Sequence, residues 1–296
     1  MYILFPSQPT APAEPDADFQ SEVAAAEAAG FTCLLFGLDE LRDGDLAGAL
    51  RRCGVASEPG TPLIYRGWML SSRDYTVLYE GLTARGYVPV TDPRQYTEAH
   101  YLPNSYQHLR DATPQSVWMT GSDPETAWMV YSQFRDRDVV LKDYVKSAKH
   151  RWREACFIPA GIDRDAFEQI IAAFLEARGD LFTGGLVFRV YHQLVQLDTD
   201  MRGMPIHEEY RLFCWSGRIF VHVPFRNPAD LVLHRATWEE LAGRFSNSFI
   251  TLDVARQEDE SWIVVEAGDG GVSGLPLSIP PEDFYQALWK AVQEEF

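Results

Sequence analysis

Lysine is nearly missing from this chain, with four residues against 22 arginines. Three of the four, Lys142, Lys146 and Lys149, fall within eight residues of one another. A chain that uses arginine elsewhere has placed compact ammonium groups on flexible stems at one spot, and a planar guanidinium does not reproduce that chemistry. His150, Arg151 and Arg153 extend the patch; a solvated basic helix face is the competing reading. Cysteine is scarce too. Cys33, Cys53, Cys156 and Cys214 show no Cys-x-x-Cys spacing and no neighbouring histidine pair, which excludes a recognisable zinc site and a disulfide framework and leaves reduced core thiols.

No stretch approaches 18 consecutive apolar residues, and the start, MYILFPSQPT, has no basic segment ahead of its short apolar run. Membrane spans and a secretory signal are therefore not expected, and a cytoplasmic protein is. Positive charge is also short: 26 basic against 43 acidic side chains give a net charge of −17. Such a field repels nucleic acid and anionic lipid, so neither is an expected partner. The first fifty residues hold nine acidic side chains and only Arg42 on the other side, as a solvated face would. Also absent are the Gly-x-x-x-x-Gly-Lys-Ser/Thr phosphate loop, Gly-x-Gly-x-x-Gly after a strand, His-Glu-x-x-His and the Gly-x-Ser-x-Gly elbow. His207-Glu208-Glu209 lacks a second histidine at helical spacing and reads as surface.

What remains is an ordinary globular composition, 46% apolar and 23% charged over 296 residues, enough for two domains or one core with an appended lobe. From the N-terminus, YILFP (2–6), TCLLFGL (32–38), PLIYRGW (62–68) and YVPV (87–90) read as strands. Between them lie a helix over about 18–29 and another opened by Ser71 or Ser72 and closed near Gly86. Alternation of this kind predicts an α/β domain with a mainly parallel sheet over roughly the first 105 residues. Beyond it come VWMT, a helix opened at Asp123-Pro124, and the strand DVVLKDYV (138–145). Next is a helix from Asp163 to Arg178, with Phe167, Ile170, Ile171, Phe174 and Leu175 in its apolar stripe, Asp163 as its cap and Gly179 as its stop. GLVFRVYHQLVQL, a hairpin EEYRLFCWSGRIFVHV turning at Ser216-Gly217, SFITLDVAR and WIVVEAGDG follow as strands. A helix from Pro280-Pro281 closes the chain. This second part predicts α+β architecture with antiparallel pairing.

Lys142 stands inside an apolar strand, where an ammonium is costly to bury unless an anion or solvent meets it. Lys146 and Lys149 flank Ser147-Ala148, small residues suited to a lid. Arg189 and Arg211 also sit in mid-strand, with a structural ion pair as the alternative for each. Asp253 and Glu266 lie on successive late strands whose carboxylates could converge on one hard cation. Asp269, within GDGG, is either a third ligand or an ordinary turn residue. Arg66, in LIYRGWML, is either an anchor for a substrate carboxylate or half of a structural salt bridge.

The segments VVLKDYVKSAKH, GGLVFRVY, EEYRLF and VVEAGDGGVSGLP, in that order after an open-sheet domain, resemble the ATP-grasp superfamily. They look most like its small bacterial and phage clade characterised by two arginines and one lysine. The resemblance covers about residues 60–280. It implies an N-terminal α/β pre-ATP-grasp domain over 1–108 and an ATP-grasp domain over 109–296, with a lid lobe at about 109–185 and a metal-binding lobe at about 186–296. It implies ATP and Mg2+ as cofactors: Lys142, Lys146, Lys149, Arg189, Val190 and Arg211 toward the nucleotide, Arg211 and Lys142 in catalysis, and Asp253, Glu266 and Asp269 on the metal. The superfamily's Glu-x-Asn metal motif is broken here, because position 268 is Gly. The implied activity is an ADP-forming ligase joining small-molecule or peptide carboxylates to amines through an acyl phosphate, and a homodimer is compatible with it. A phosphotransferase on the same site and a non-catalytic nucleotide-binding module are the alternatives.

Overall fold

The computed structural model describes residues 1–199, 205–224 and 235–294. The chain forms two compact units, each assembled from more than one stretch of sequence: Met1–Ala99, Glu208–Val254 and Ala267–Phe296 make the first, and His100–His207 with Ala255–Glu266 make the second.

The first unit holds a four-stranded parallel sheet in the order Thr32–Phe36, Tyr2–Pro6, Thr61–Tyr65, Tyr87–Pro89. Side chains alternate across a strand, and both faces of the Tyr2–Pro6 strand are covered. Ile3 and Phe5 pack with Ala25 and Ala26 of the Gln20–Ala29 helix and with Phe284, Tyr285 and Leu288 of the Pro281–Gln293 helix. Leu4 faces the other way, toward Tyr75, Leu78 and Leu82 of the Ser72–Thr83 helix. Burial on both sides is why these strands read as near-continuous apolar runs. Ser71 caps the Ser72–Thr83 helix through Asp74 N at 3.0 Å.

Strands Arg218–Pro224, Glu209–Trp215, Phe249–Arg256 and Trp262–Asp269 form a second sheet in that order, and the last two have residues in both units. The antiparallel hairpin of its first two turns at Ser216 and Gly217, with φ of 46° and 76°. Two positive φ values in a row match the right-handed twist of the flanking strands, and glycine takes one of them without strain.

The second unit carries an antiparallel sheet in the order Ser116–Trp118, Leu186–Val190, Val139–Asp143, Phe157–Ile158. One face carries Val139, Leu141, Leu186 and Phe188, which bury against Phe167, Ile171 and Phe174 of the Arg164–Arg178 helix. Each such side chain contributes about 1.5–3 kcal/mol. Asp163 caps that helix through Ala166 N at 2.9 Å, and Gly179 ends it. With this face committed to the core, residues 140, 142, 187 and 189 must point the opposite way.

Several elements differ from the sequence expectation. The second strand ends at Phe36, and Leu38–Arg42 and Leu46–Ala49 are short helices. The third ends at Tyr65, so Arg66 lies beyond it. GLVFRVYHQLVQL is two strands, Leu186–Val190 and Gln196–Thr199. Helices Pro93–His100, Leu102–Leu109 and Arg235–Ala242 lie where the sequence reading places no element. No helix among the described residues is long and apolar enough to cross a membrane.

Candidate functional site

Lys142 pairs with Val187 and Val140 with Arg189 in the second unit's sheet, so Lys142 and Arg189 share the face turned away from the helix. Both are largely buried, each 8% exposed. The Lys142 ammonium stands 3.6 Å from Glu266 Oε1. Burial lowers its pKa, Glu266 opposes that, and Arg189, Lys146 and Lys149 add to it. Arg189 donates from Nη1 to the carbonyl of Val265 at 2.6 Å, and from Nη2 to Val264 O at 3.1 Å and Thr113 Oγ1 at 2.5 Å. Its pKa is pushed down to about 10 by burial, with Glu266 again opposing, so it stays protonated at neutral pH. Val190 donates its main-chain N–H to Gln115 O at 2.8 Å.

Behind Lys142 the chain makes a tight reversal. Asp143 N donates to Lys146 O at 2.9 Å, and Lys142 bridges to Ser147. The Asp143 carboxylate is fully buried and accepts from Val145 N and Lys146 N, both at 2.7 Å. Lys149 opens a single 3-10 turn, Lys149–Arg151, and is exposed, and Arg153 falls in the π-helical turn Trp152–Cys156 that follows; the basic patch is thus not one regular α-helix face. His100 lies close enough to Lys146, Glu266, Lys142 and Asp143 to feel their charges, and burial, first among the causes, drops its pKa to about 4.

In the first unit Arg211 grips Asp253 at two points, Nε to Oδ1 at 2.8 Å and Nη2 to Oδ2 at 2.7 Å, and gives Nη1 to Gly274 O at 2.8 Å. Asp269 is buried. Its Oδ1 accepts from Gly271 N at 2.8 Å and its Oδ2 from the Thr91 hydroxyl at 2.9 Å. Burial raises its pKa to about 6 against the pull of those contacts and of Arg66 and Asn247. Gly271 has to be glycine, because a Cβ there would fall 2.3 Å from Tyr65 O. Arg66 resolves as a structural ion pair. Its guanidinium meets both Glu22 oxygens, at 2.8 and 3.1 Å, and the carbonyls of Gly270 and Ser273, at 3.2 and 2.5 Å, while Tyr285 O–H donates to Glu22 at 2.6 Å. Every nitrogen of that guanidinium is engaged inside the unit, which removes the reading of Arg66 as a substrate anchor.

The ATP-grasp domain model for family 3 of the clade named for two arginines and one lysine matches residues 132–290, more than half of the chain. The chain belongs to that ATP-grasp family. Solved structures of the same fold include a RimK domain ATP-grasp protein from Sphaerobacter thermophilus DSM 20745 (15% identity, TM-score 0.62, covering 98% of this chain and 99% of that one). The ATP-grasp ligase PsnB, complexed with precursor peptide PsnA2 and AMPPNP, aligns at 12% identity and TM-score 0.59 over 99% of this chain and 96% of that one. The D-cycloserine synthetase DcsG aligns at 14% identity and TM-score 0.58 over 98% and 99%. At these identities the likeness concerns the fold. No curated protein sequence matches the chain.

The ATP-grasp donor set suits a magnesium nucleotide chemically: ammonium and guanidinium groups for phosphate oxygens, and carboxylates alone for a hard cation. Asp253 and Glu266 are each already paired with a cation, Arg211 and Lys142. Among the described residues no three His, Cys, Asp or Glu side chains form a ready metal cage. Magnesium does not require one, since it is commonly held by one or two carboxylates together with substrate phosphates. Sequence reasoning missed Asp143, Thr113, Arg178 and His100. Only Asp143 left a trace, as an acidic residue inside the apolar run VVLKDYV.

Proposed function

We propose that this ATP-grasp protein is an ATP-dependent, ADP-forming ligase that joins a carboxylate to an amine. The observation that carries the reading is the buried Lys142 ammonium, held 3.6 Å from Glu266 on a sheet face it shares with Arg189. Glu266 takes one side of that ammonium, and an ammonium has three donors, so triphosphate oxygens can take the others. In this assignment Lys142, Lys146 and Lys149 meet the phosphates, Arg189 and the Val190 main chain lie on the nucleotide side, and Arg211 faces the transferring group. Asp253 and Glu266 are the metal pair. We assign Asp269 to the turn, because it is the more deeply buried of the two aspartates and its oxygens accept from the turn's own Gly271 N and from the Thr91 hydroxyl.

Magnesium, when bound, offsets negative charge on the phosphate oxygens. A substrate carboxylate oxygen bonds to the γ-phosphorus as the bond to the β-bridging oxygen breaks, releasing ADP. An amine then attacks the acyl carbon, phosphate departs, and the amine's proton goes to solvent or phosphate. Lys142 and Arg211 act by stabilising the developing charge, so no side-chain nucleophile is needed. The domain reading is likewise a proposal: a pre-ATP-grasp segment at 1–108, a lid lobe at about 109–185 and a metal lobe at about 186–296. So is a cytoplasmic location, where ATP is plentiful and four free cysteines stay reduced. The precursor peptide in the PsnB complex suggests peptides as the first substrates to try.

The test is binding followed by product search. At a nucleotide concentration about 100 times the dissociation constant, linkage stabilises the fold by roughly 2.7 kcal/mol, so Mg-ATP raises the unfolding midpoint. Incubation with Mg-ATP and pools of amino acids, peptides and carboxylates then yields a product lighter than its parents by one water. No midpoint shift with millimolar ATP or ADP, with or without magnesium, refutes the assignment.

A further inference from the structure

The Asp143 carboxylate divides its two oxygens between two jobs. Oδ1 accepts the N–H groups of Val145 and Lys146, both at 2.7 Å, which shapes the reversal that carries Lys142 and Lys146. Oδ2 accepts from Arg178 Nε at 2.8 Å and from Thr183 N at 3.3 Å. Arg178 is the last residue of the Arg164–Arg178 helix and also gives Nη2 to Leu181 O at 2.8 Å. The turn of the lysine loop is therefore tied, through one wholly buried carboxylate, to a helix end that is itself packed into the unit's core. An acid with no solvent contact is tolerated only when its charge is matched and its lone pairs are filled, and both conditions are met here. Both oxygens are committed to partners within the unit. Deleting the carboxylate would leave two loop N–H groups without their acceptor and free the loop from the helix.

We propose that Asp143 and Arg178 form a positioning pair for the nucleotide-binding lysines: they touch no substrate, but fix the turn from which Lys142 and Lys146 reach the phosphates. This rests on the nucleotide reading given above. The two residues carry out separable parts of the task. Asp143→Asn can keep the two loop hydrogen bonds through its carbonyl oxygen while losing the ion pair with Arg178. Arg178→Gln breaks the same pair from the helix side and leaves the loop's own bonds intact. Arg178→Lys restores the charge without the guanidinium fork.

The experiment measures Mg-ATP and ADP dissociation constants, thermal midpoints, and amide hydrogen exchange at Val145 and Lys146. It uses the full-length wild type, Asp143→Asn, Arg178→Gln, Arg178→Lys and the control Lys142→Met. The expected result is nucleotide binding roughly tenfold weaker in Asp143→Asn and Arg178→Gln, since small displacements of charged contacts are costly. Exchange in the lysine loop rises in both, and Arg178→Lys recovers most of the affinity. If Asp143→Asn does not fold, the two Arg178 variants decide the matter alone. Lowered midpoints with unchanged dissociation constants, while Lys142→Met loses binding, overturn the positioning role and leave the nucleotide reading standing. A wild type that binds no nucleotide overturns both.

Discussion

The guanidinium of Arg189 donates to the carbonyl of Val265 at 2.6 Å, one residue ahead of Glu266. Together with its bond to Val264 O at 3.1 Å, this makes Arg189 a latch on the strand that presents Glu266 to Lys142. The contact to Val264 O is buried and that to Val265 O partly so, and a buried carbonyl that loses its donor costs about 1–3 kcal/mol. Arg189→Met should therefore lower unfolding free energy by about 2 kcal/mol or more in urea titrations. Arg189→Lys should recover only part, since one ammonium cannot span the acceptors of a planar fork. A loss under about 0.5 kcal/mol for Arg189→Met, the range of ordinary surface changes, would contradict the latch.

Arg211 and Asp253 make a close charge pair at 2.7 Å, with side chains 18% and 11% exposed. If Asp253 is a metal ligand, arginine and magnesium are partners for the same carboxylate. Arg211→Gln leaves that carboxylate mostly buried and without its guanidinium, which should cost up to about 3 kcal/mol in EDTA. Magnesium should then stabilise Arg211→Gln more than it stabilises the wild type, and should have little effect on Asp253→Asn. Equal magnesium responses in all three proteins, followed by chemical denaturation, would remove Asp253 from the metal assignment.

The sequence disclosed those parts of the molecule in which one residue type contradicts its surroundings. Lys142 was visible because an ammonium in VVLKDYV breaks an apolar run, and the Arg164–Arg178 helix because its stripe repeats over four turns between a capping Asp163 and a stopping Gly179. The hairpin at Ser216-Gly217 followed from turn chemistry alone. Short helices such as Leu38–Arg42 span barely more than one turn, too few residues to establish a period. Partners far apart in sequence were invisible for a different reason. Arg66 stayed open between a substrate anchor and a salt bridge because Glu22, which claims it, lies 44 positions earlier. Arg189 had the right neighbours for a ligand contact, yet two of its acceptors are main-chain oxygens 75 and 76 positions later, and no residue type announces a carbonyl.

His100 gives the protein an acid-sensitive element. The unfolded chain takes up the imidazole proton near pH 6.5 and the folded chain near pH 4, the difference caused first by burial and then by Lys146 and Lys142, against the pull of Glu266 and Asp143. Between those values the unfolded state holds the more protons, so stability is full above about pH 6.5 and declines as pH falls toward 4. His100→Gln should flatten this part of the profile. Urea unfolding at half-unit pH steps in EDTA tests it, and an unchanged slope between pH 6.5 and 4.5 in the variant would exclude the imidazole as the cause.

Reaction type separates a ligase from a phosphotransferase that uses the same residues. A ligase activates a carboxylate as an acyl phosphate, which is short-lived in water and reacts with strong amine nucleophiles. Hydroxylamine should therefore divert it to a hydroxamate, and ADP and free phosphate should appear in step with the amide product. A phosphotransferase would instead leave the phosphoryl group on a stable acceptor, with no free phosphate beyond background. The position of Arg211 sharpens the test. An interaction made chiefly in the transition state lowers turnover without weakening ground-state binding, so Arg211→Ala should reduce hydroxamate formation roughly a hundredfold, as loss of one preorganised donor typically does, while the ATP dissociation constant changes little. Because Arg211 also neutralises Asp253, Asp253→Asn combined with Arg211→Ala should fold better than Arg211→Ala alone and remain inactive. AMP and pyrophosphate as products would rule out the ADP-forming mechanism. Normal turnover with weak ATP binding in Arg211→Ala would move that arginine from the transferring group to the holding of the nucleotide.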